Sequence, residues 1–119
     1  MSEENVYDKA HELARTIRSS EEWKALAKTW EDVDKNPEHR RYIEQFRELS
    51  MELQALQMQG KDPSQEKGEE WNRLLQKIQS DSTLSKYLES ERRFGQLMAD
   101  INRIVSGPVE ELYKNSRGK

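Results

Sequence analysis

The 119-residue chain contains no cysteine, which removes disulfides, thiolate metal sites, iron–sulfur ligation and a cysteine nucleophile together. Apolar residues are also scarce: 33% of the chain is hydrophobic and 36% is charged, against about 45–50% and about 25% in ordinary domains. The mean hydropathy is −1.15. Such material suits either disorder or long amphipathic helices with thin apolar seams. No run approaches the ~18 consecutive apolar residues of a membrane span, so no membrane insertion is expected. The start, Met1-Ser2-Glu3-Glu4, lacks the basic and apolar regions of a secretory leader, and a cytoplasmic location is expected. The 20 basic and 23 acidic residues are interspersed to a net charge of −3, which creates no field to attract nucleic acid. The five glycines are scattered rather than gathered into a phosphate-binding loop.

The aromatics decide between the two readings. Three Trp, four Tyr and two Phe fall mostly in phase with an apolar repeat, which disorder does not produce. Two stretches, 37–59 and 82–106, dominate. In the first, Tyr42, Phe46, Leu49, Leu53 and Leu56 fall on one seam and Gly60 follows. In the second, the seam is Leu84, Tyr87, Glu91, Phe94, Met98, Ile101 and Val105, followed by Gly107-Pro108. Alternating spacings of three and four keep a narrow apolar line on one side of a helix, and each rod would run roughly 35 Å.

Around these, a stripe of Val6, Ala10, Leu13, Ala14 and Ile17 predicts a helix over 5–19. Ser19 and Glu22 have capping-box spacing and restart the chain to about Asp34. Asn36-Pro37 is a cap followed by a proline at the first helical position. Asp62-Pro63, with Gln65 at the box position, opens a fourth helix to about Gln79, and Asp81 or Ser82 caps the fifth. Gly60 and Gly107 read as helix stops, and 109–114 as a short further segment. The expected architecture is all-α: one domain over 1–119, a bundle of about five helices dominated by two long antiparallel ones, with a short C-terminal helical segment and frayed ends at 1–4 and 115–119.

Thin seams bury little surface, and association with another copy supplies the missing cover. A homodimer or higher homo-oligomer is therefore expected, built on Tyr42, Phe46, Leu49, Leu53 and Leu56 of one rod and Phe94, Met98 and Ile101 of the other. Glu91 interrupts the second seam. An unpaired buried carboxylate is expensive, so Glu91 either pairs with Arg92, Arg93 or, across the helices, Arg47, or sits at the seam's edge.

Reactive constellations are missing. His11 and His39 lie on different helices without zinc-ligand spacing, no Glu-x-x-His occurs, and adjacent acids such as Glu69 and Glu70 point about 100° apart on a helix. No catalytic, metal or cofactor-binding residue is assigned. The basic clusters His39-Arg40-Arg41, Arg92-Arg93 and Lys114, Arg117, Lys119 have acidic neighbours and no interleaved aromatics, and read as solvated faces rather than a phosphate strip. Met51 and Met58 are adaptable enough to meet a protein partner, or simply flank the core.

Tyr7, Ala10, Leu13, Ala14, Ile17, Arg18, Ser20, Glu22 and Trp23, together with FRELSMELQALQMQG from Phe46, YLESERRFGQLMADINRI from Tyr87 and the ending GPVEELY, resemble the YlbF/YmcA family and its YheA-like branch. The resemblance spans nearly the whole chain, and its motifs are packing patterns rather than catalytic signatures. It implies a small all-α cytoplasmic protein of Gram-positive bacteria that forms dimers or larger oligomers, related to interaction factors of competence, biofilm formation, sporulation and RNA processing. Those factors bind iron–sulfur clusters through cysteines; this chain has none, so no cofactor carries over. The expected function is that of a non-enzymatic, self-associating helical interaction or adaptor protein. The alternative is an RNA-processing accessory factor that contacts RNA or a ribonuclease.

Overall fold

The computed structural model describes residues 5–117. Six helices account for them, with no strand among the described residues: α1 (Val6–Arg18), α2 (Glu21–Asp34), α3 (Pro37–Met58), α4 (Gln65–Ser80), α5 (Ser82–Val105) and α6 (Gly107–Arg117). The all-α expectation holds, and α3 and α5 are the longest elements at 22 and 24 residues.

Local chemistry sets the boundaries. Asn36 accepts the Glu38 amide at 2.8 Å ahead of Pro37, and Asp81 accepts the amides of Thr83 and Leu84 to start α5. Gly60, at φ +71°, closes α3. There the Lys61 amide bonds the Leu56 carbonyl at 2.9 Å and the Gly60 amide bonds that of Gln57 at 3.0 Å, the paired bonds of a Schellman ending.

Three boundaries differ from expectation. The cap of α2 is Ser20, whose hydroxyl accepts the Trp23 amide, and not Ser19, which closes α1. The cap of α4 is Ser64 rather than Asp62, because Pro63 holds its predecessor extended and the next hydroxyl reaches the Lys67 amide. Gly107 opens α6 instead of ending α5. The amides of Val109 and Glu110 both bond the Ser106 carbonyl, and Pro108 sits where a missing N–H is harmless. As a result, α6 is an 11-residue helix that reaches Arg117, and 115–117 are helical where fraying was expected. The other residues expected to fray, 1–4 and 118–119, lie outside the described residues.

Helix α4 folds back along α3. Phe46 stacks on Trp71 with centroids 5.3 Å apart, the Lys77 ammonium lies 5.3 Å from the Tyr42 ring, and Lys67 pairs with Glu52 at 2.7 Å. Helix α2 runs back along α5, with the Trp30 and Tyr87 rings 5.5 Å apart and Glu22 beside Gln96. Antiparallel packing thus joins each long helix to a shorter one rather than the two long ones to each other. The links between α3 and α5 advance in the same sense, His39 to Asp81 and Arg47 to Glu91, because α4 returns the chain to the start of α3 before α5 sets out.

The core sits where α2 ends, α3 and α5 begin and α4 finishes. Val33, Ile43, Leu49, Leu74, Ile78, Leu84 and Tyr87 are buried there. The whole is a thin plate, 59 × 40 × 16 Å, with a radius of gyration of 19.5 Å, where a compact chain of this length gives about 13.5 Å.

Candidate functional site

Both long seams are covered near the core and uncovered away from it. Along α5, Leu84 is 0% exposed and Tyr87 3%, while Val105 at the far end is 61% exposed; Glu91, Phe94, Met98 and Ile101 between them are half-buried. Along α3, Leu49 is buried, Tyr42, Phe46 and Leu53 pack against the core, Leu56 is half-buried and Met58 is 89% exposed. The residues expected to hold two copies together therefore divide. Tyr42, Phe46, Leu49 and Leu53 serve the chain's own core, whereas Leu56, Phe94, Met98 and Ile101 lie outside the core and the shell packed on it.

Arg47 and Glu91 meet. The guanidinium lies 2.6 Å from the Glu91 carboxylate, the Tyr87 hydroxyl donates to the same carboxylate oxygen at 2.8 Å, and Arg47 also donates to that hydroxyl. Both charged side chains remain partly in water, so this is a register-fixing triangle at the rim of the core rather than a buried charge. Burial, then the bond to Glu91 and its charge, push the Tyr87 phenol up to about 12 against the opposing pull of Arg47. Desolvation works against the Arg47 charge, but Glu91 and Tyr87 outweigh it and raise its pKa.

One side of this triangle forms the end of an open groove of about 440 Å³, lined by Trp23, Leu26, Ala27, Trp30, Arg47 and Tyr87. The heptad-like spacing on α2 places its two tryptophans and Leu26 on one face. Trp, Tyr and Arg are the residues that most often anchor protein interfaces. Spacing along α2 sets the face on which these tryptophans lie, but only the packed chain brings Arg47 of α3 and Tyr87 of α5 to them.

His39 is not the surface residue its basic neighbours suggested. Its Nε2 lies 2.9 Å from Asp81, pinning the first turn of α3 to the α4–α5 corner, and its Nδ1 is buried without a hydrogen-bond partner. Burial alone would raise the Asp81 carboxyl, but the Leu84 and Thr83 amides and His39 hold it below its ordinary value. The basic clusters are partly neutralised in place: Arg40 pairs with Asp34 at 3.4 Å and Arg92 with Glu89 at 2.6 Å. Among the described residues, no three acids or histidines gather as metal ligands, and no helix is long and apolar enough to cross a membrane.

The fold is shared with known proteins. The family model described as control of competence regulator ComK, YlbF/YmcA, matches residues 6–110. The chain belongs to the YlbF/YmcA family. Within it, the chain is 38% identical to a UPF0342 protein of Alkalihalophilus pseudofirmus over 115 residues, covering 97% of this chain and 98% of that one. It is 34% identical to a UPF0342 protein of Bacillus licheniformis, covering 93% and 95%. Among solved structures, YheA from Bacillus subtilis superposes with a TM-score of 0.62 at 27% identity, over 92% of this chain and 99% of that one. A DUF964 protein of unknown function from Bacillus stearothermophilus superposes with a TM-score of 0.71 at 24% identity, over 92% and 96%, a likeness of fold. The chain is thus a YheA-like member of the YlbF/YmcA family, whose named theme is regulation.

Proposed function

We propose that this YlbF/YmcA-family chain is a non-enzymatic adaptor that associates with copies of itself and presents its remaining surface to a protein partner. The observation that supports this reading is the exposed area. The chain of 14.1 kDa exposes 9697 Å², whereas a compact monomer of that mass exposes about 6,700 Å². The excess of roughly 3,000 Å² exceeds the ~800 Å² that each partner buries in a standard interface and is of the size seen in obligate assemblies. Large apolar side chains contribute to it: besides the groove tryptophans, Val6, Tyr7, Met51, Met58, Ile104 and Leu112 are exposed. A large exposed apolar surface on a soluble chain marks an interaction site.

Association covers that surface in the assembled state. Sedimentation equilibrium over a wide concentration range is the test. A mass at least twice 14.1 kDa that falls on dilution supports the reading. A single species of monomer mass at all concentrations eliminates it.

A further inference from the structure

We infer that α6, together with the end of α5, pairs with the same segment of a second copy across a two-fold axis. This rests on the self-association proposed above and names the surface that carries it.

Helix α6 has 11 residues, a length at which an isolated helix is marginal in water. Among the described residues it touches only α5, the helix it follows, so no other described helix stabilises it. Yet it is amphipathic. Val109, Leu112 and Tyr113 stand at i, i+3 and i+4 on one face, exposed by 55%, 65% and 62%. Ile104 and Val105, the last residues of α5, are exposed by 71% and 61% just before it. Five large apolar side chains, each more than half exposed, therefore sit within ten residues of sequence.

Three observations favour a second copy as the cover. The surface excess per chain exceeds what a dimer needs. A short amphipathic helix with one apolar face is self-complementary: a two-fold axis lays identical faces together and closes the assembly, so no further matching surface is required. The third is continuity, since the patch extends the α5 seam of Phe94, Met98 and Ile101, which is half-buried already. Met51 and Met58 on α3 are exposed as well, but they offer two flexible side chains on a helix that already packs on α2, α4 and α5.

The absence of cysteine makes the test clean. Leu112→Asp in the full chain places two charges in the contact, one from each copy, and should weaken the dimer at least ~100-fold by sedimentation. The core is remote, so the variant should still unfold cooperatively. Leu112→Cys should form a disulfide-linked dimer on mild oxidation, whereas Met58→Cys should not. If the parent chain dimerises and Leu112→Asp dimerises equally well, or Met58→Cys cross-links and Leu112→Cys does not, the inference falls and the adaptor reading stands. If the parent chain is monomeric throughout, both fall. Capture of α6 by the Trp23–Trp30 groove of the other copy would appear as a dimer that Leu112→Asp dissociates but Leu112→Cys fails to cross-link, and this also overturns the two-fold pairing.

Discussion

Leu84→Ala is the sharpest probe of where this plate keeps its stability. Leu84 lies in the first turn of α5, is 0% exposed and belongs to the buried cluster that joins α2, α3, α4 and α5. Truncating a fully buried leucine costs about 2.7–5 kcal/mol, with the larger values where the surroundings cannot collapse. A plate 16 Å thick can close over part of the void, so a cost of about 3 kcal/mol is expected. That is a large part of the ~5–15 kcal/mol that holds a typical domain together. In urea, with a slope of about 1.5 kcal/mol/M, the midpoint should fall by about 2 M while the slope stays unchanged. Both proteins must be compared at one concentration, because association adds to apparent stability. Met58→Ala serves as the control: at 89% exposure it should change the midpoint by no more than ~0.5 kcal/mol equivalent. Comparable losses for the two variants, or a Leu84→Ala cost below ~1 kcal/mol, would refute a core concentrated at the meeting point of the four helices.

Two further outcomes follow from local geometry. The Tyr87 phenol is pushed up to about 12, so an ultraviolet titration should show one of the four tyrosines still protonated well above pH 11. Because the folded pKa is raised above the unfolded value of about 10, the stability it contributes, at most ~3 kcal/mol, is present below pH ~10 and lost as pH rises toward 12; four phenols titrating together near 10 would contradict this. Gly60→Ala should destabilise the chain by about 1 kcal/mol, since φ there is +71°. Gly68→Ala, inside α4 with nothing within 4 Å of the new Cβ, should stabilise it by about 0.5–1 kcal/mol. Thermal melts of both variants check the opposite signs, and equal signs would sink the backbone argument.

The sequence by itself determined the helices. Seams at alternating three and four spacing, the Asn36-Pro37 start and the Gly60 stop are local signals, read within one or two turns, and they place α3 and α5 almost to the residue. Caps misread by one or two positions, at Ser20 and Ser64, show the limit of such signals where several hydroxyl and carboxylate side chains compete for the same amides. Glu91 was legible as a residue in need of a partner, and Arg47 as one candidate, because a carboxylate on an apolar seam carries that demand wherever the helix goes.

Tertiary structure alone decided which helix answers which. Sense and neighbour depend on α4 returning the chain to the start of α3, which leaves α5 running alongside α3 at the core and along α2 beyond it. For the same reason the groove that brings Trp23 and Trp30 to Arg47 and Tyr87, and the partnership of His39 with Asp81 across 42 positions, could not be read from spacing. Periodicity reports which face of a helix is apolar. Only the packing of the whole chain decides how much of that face it covers, and here it leaves the apolar face of α6 and the last residues of both long helices more than half exposed.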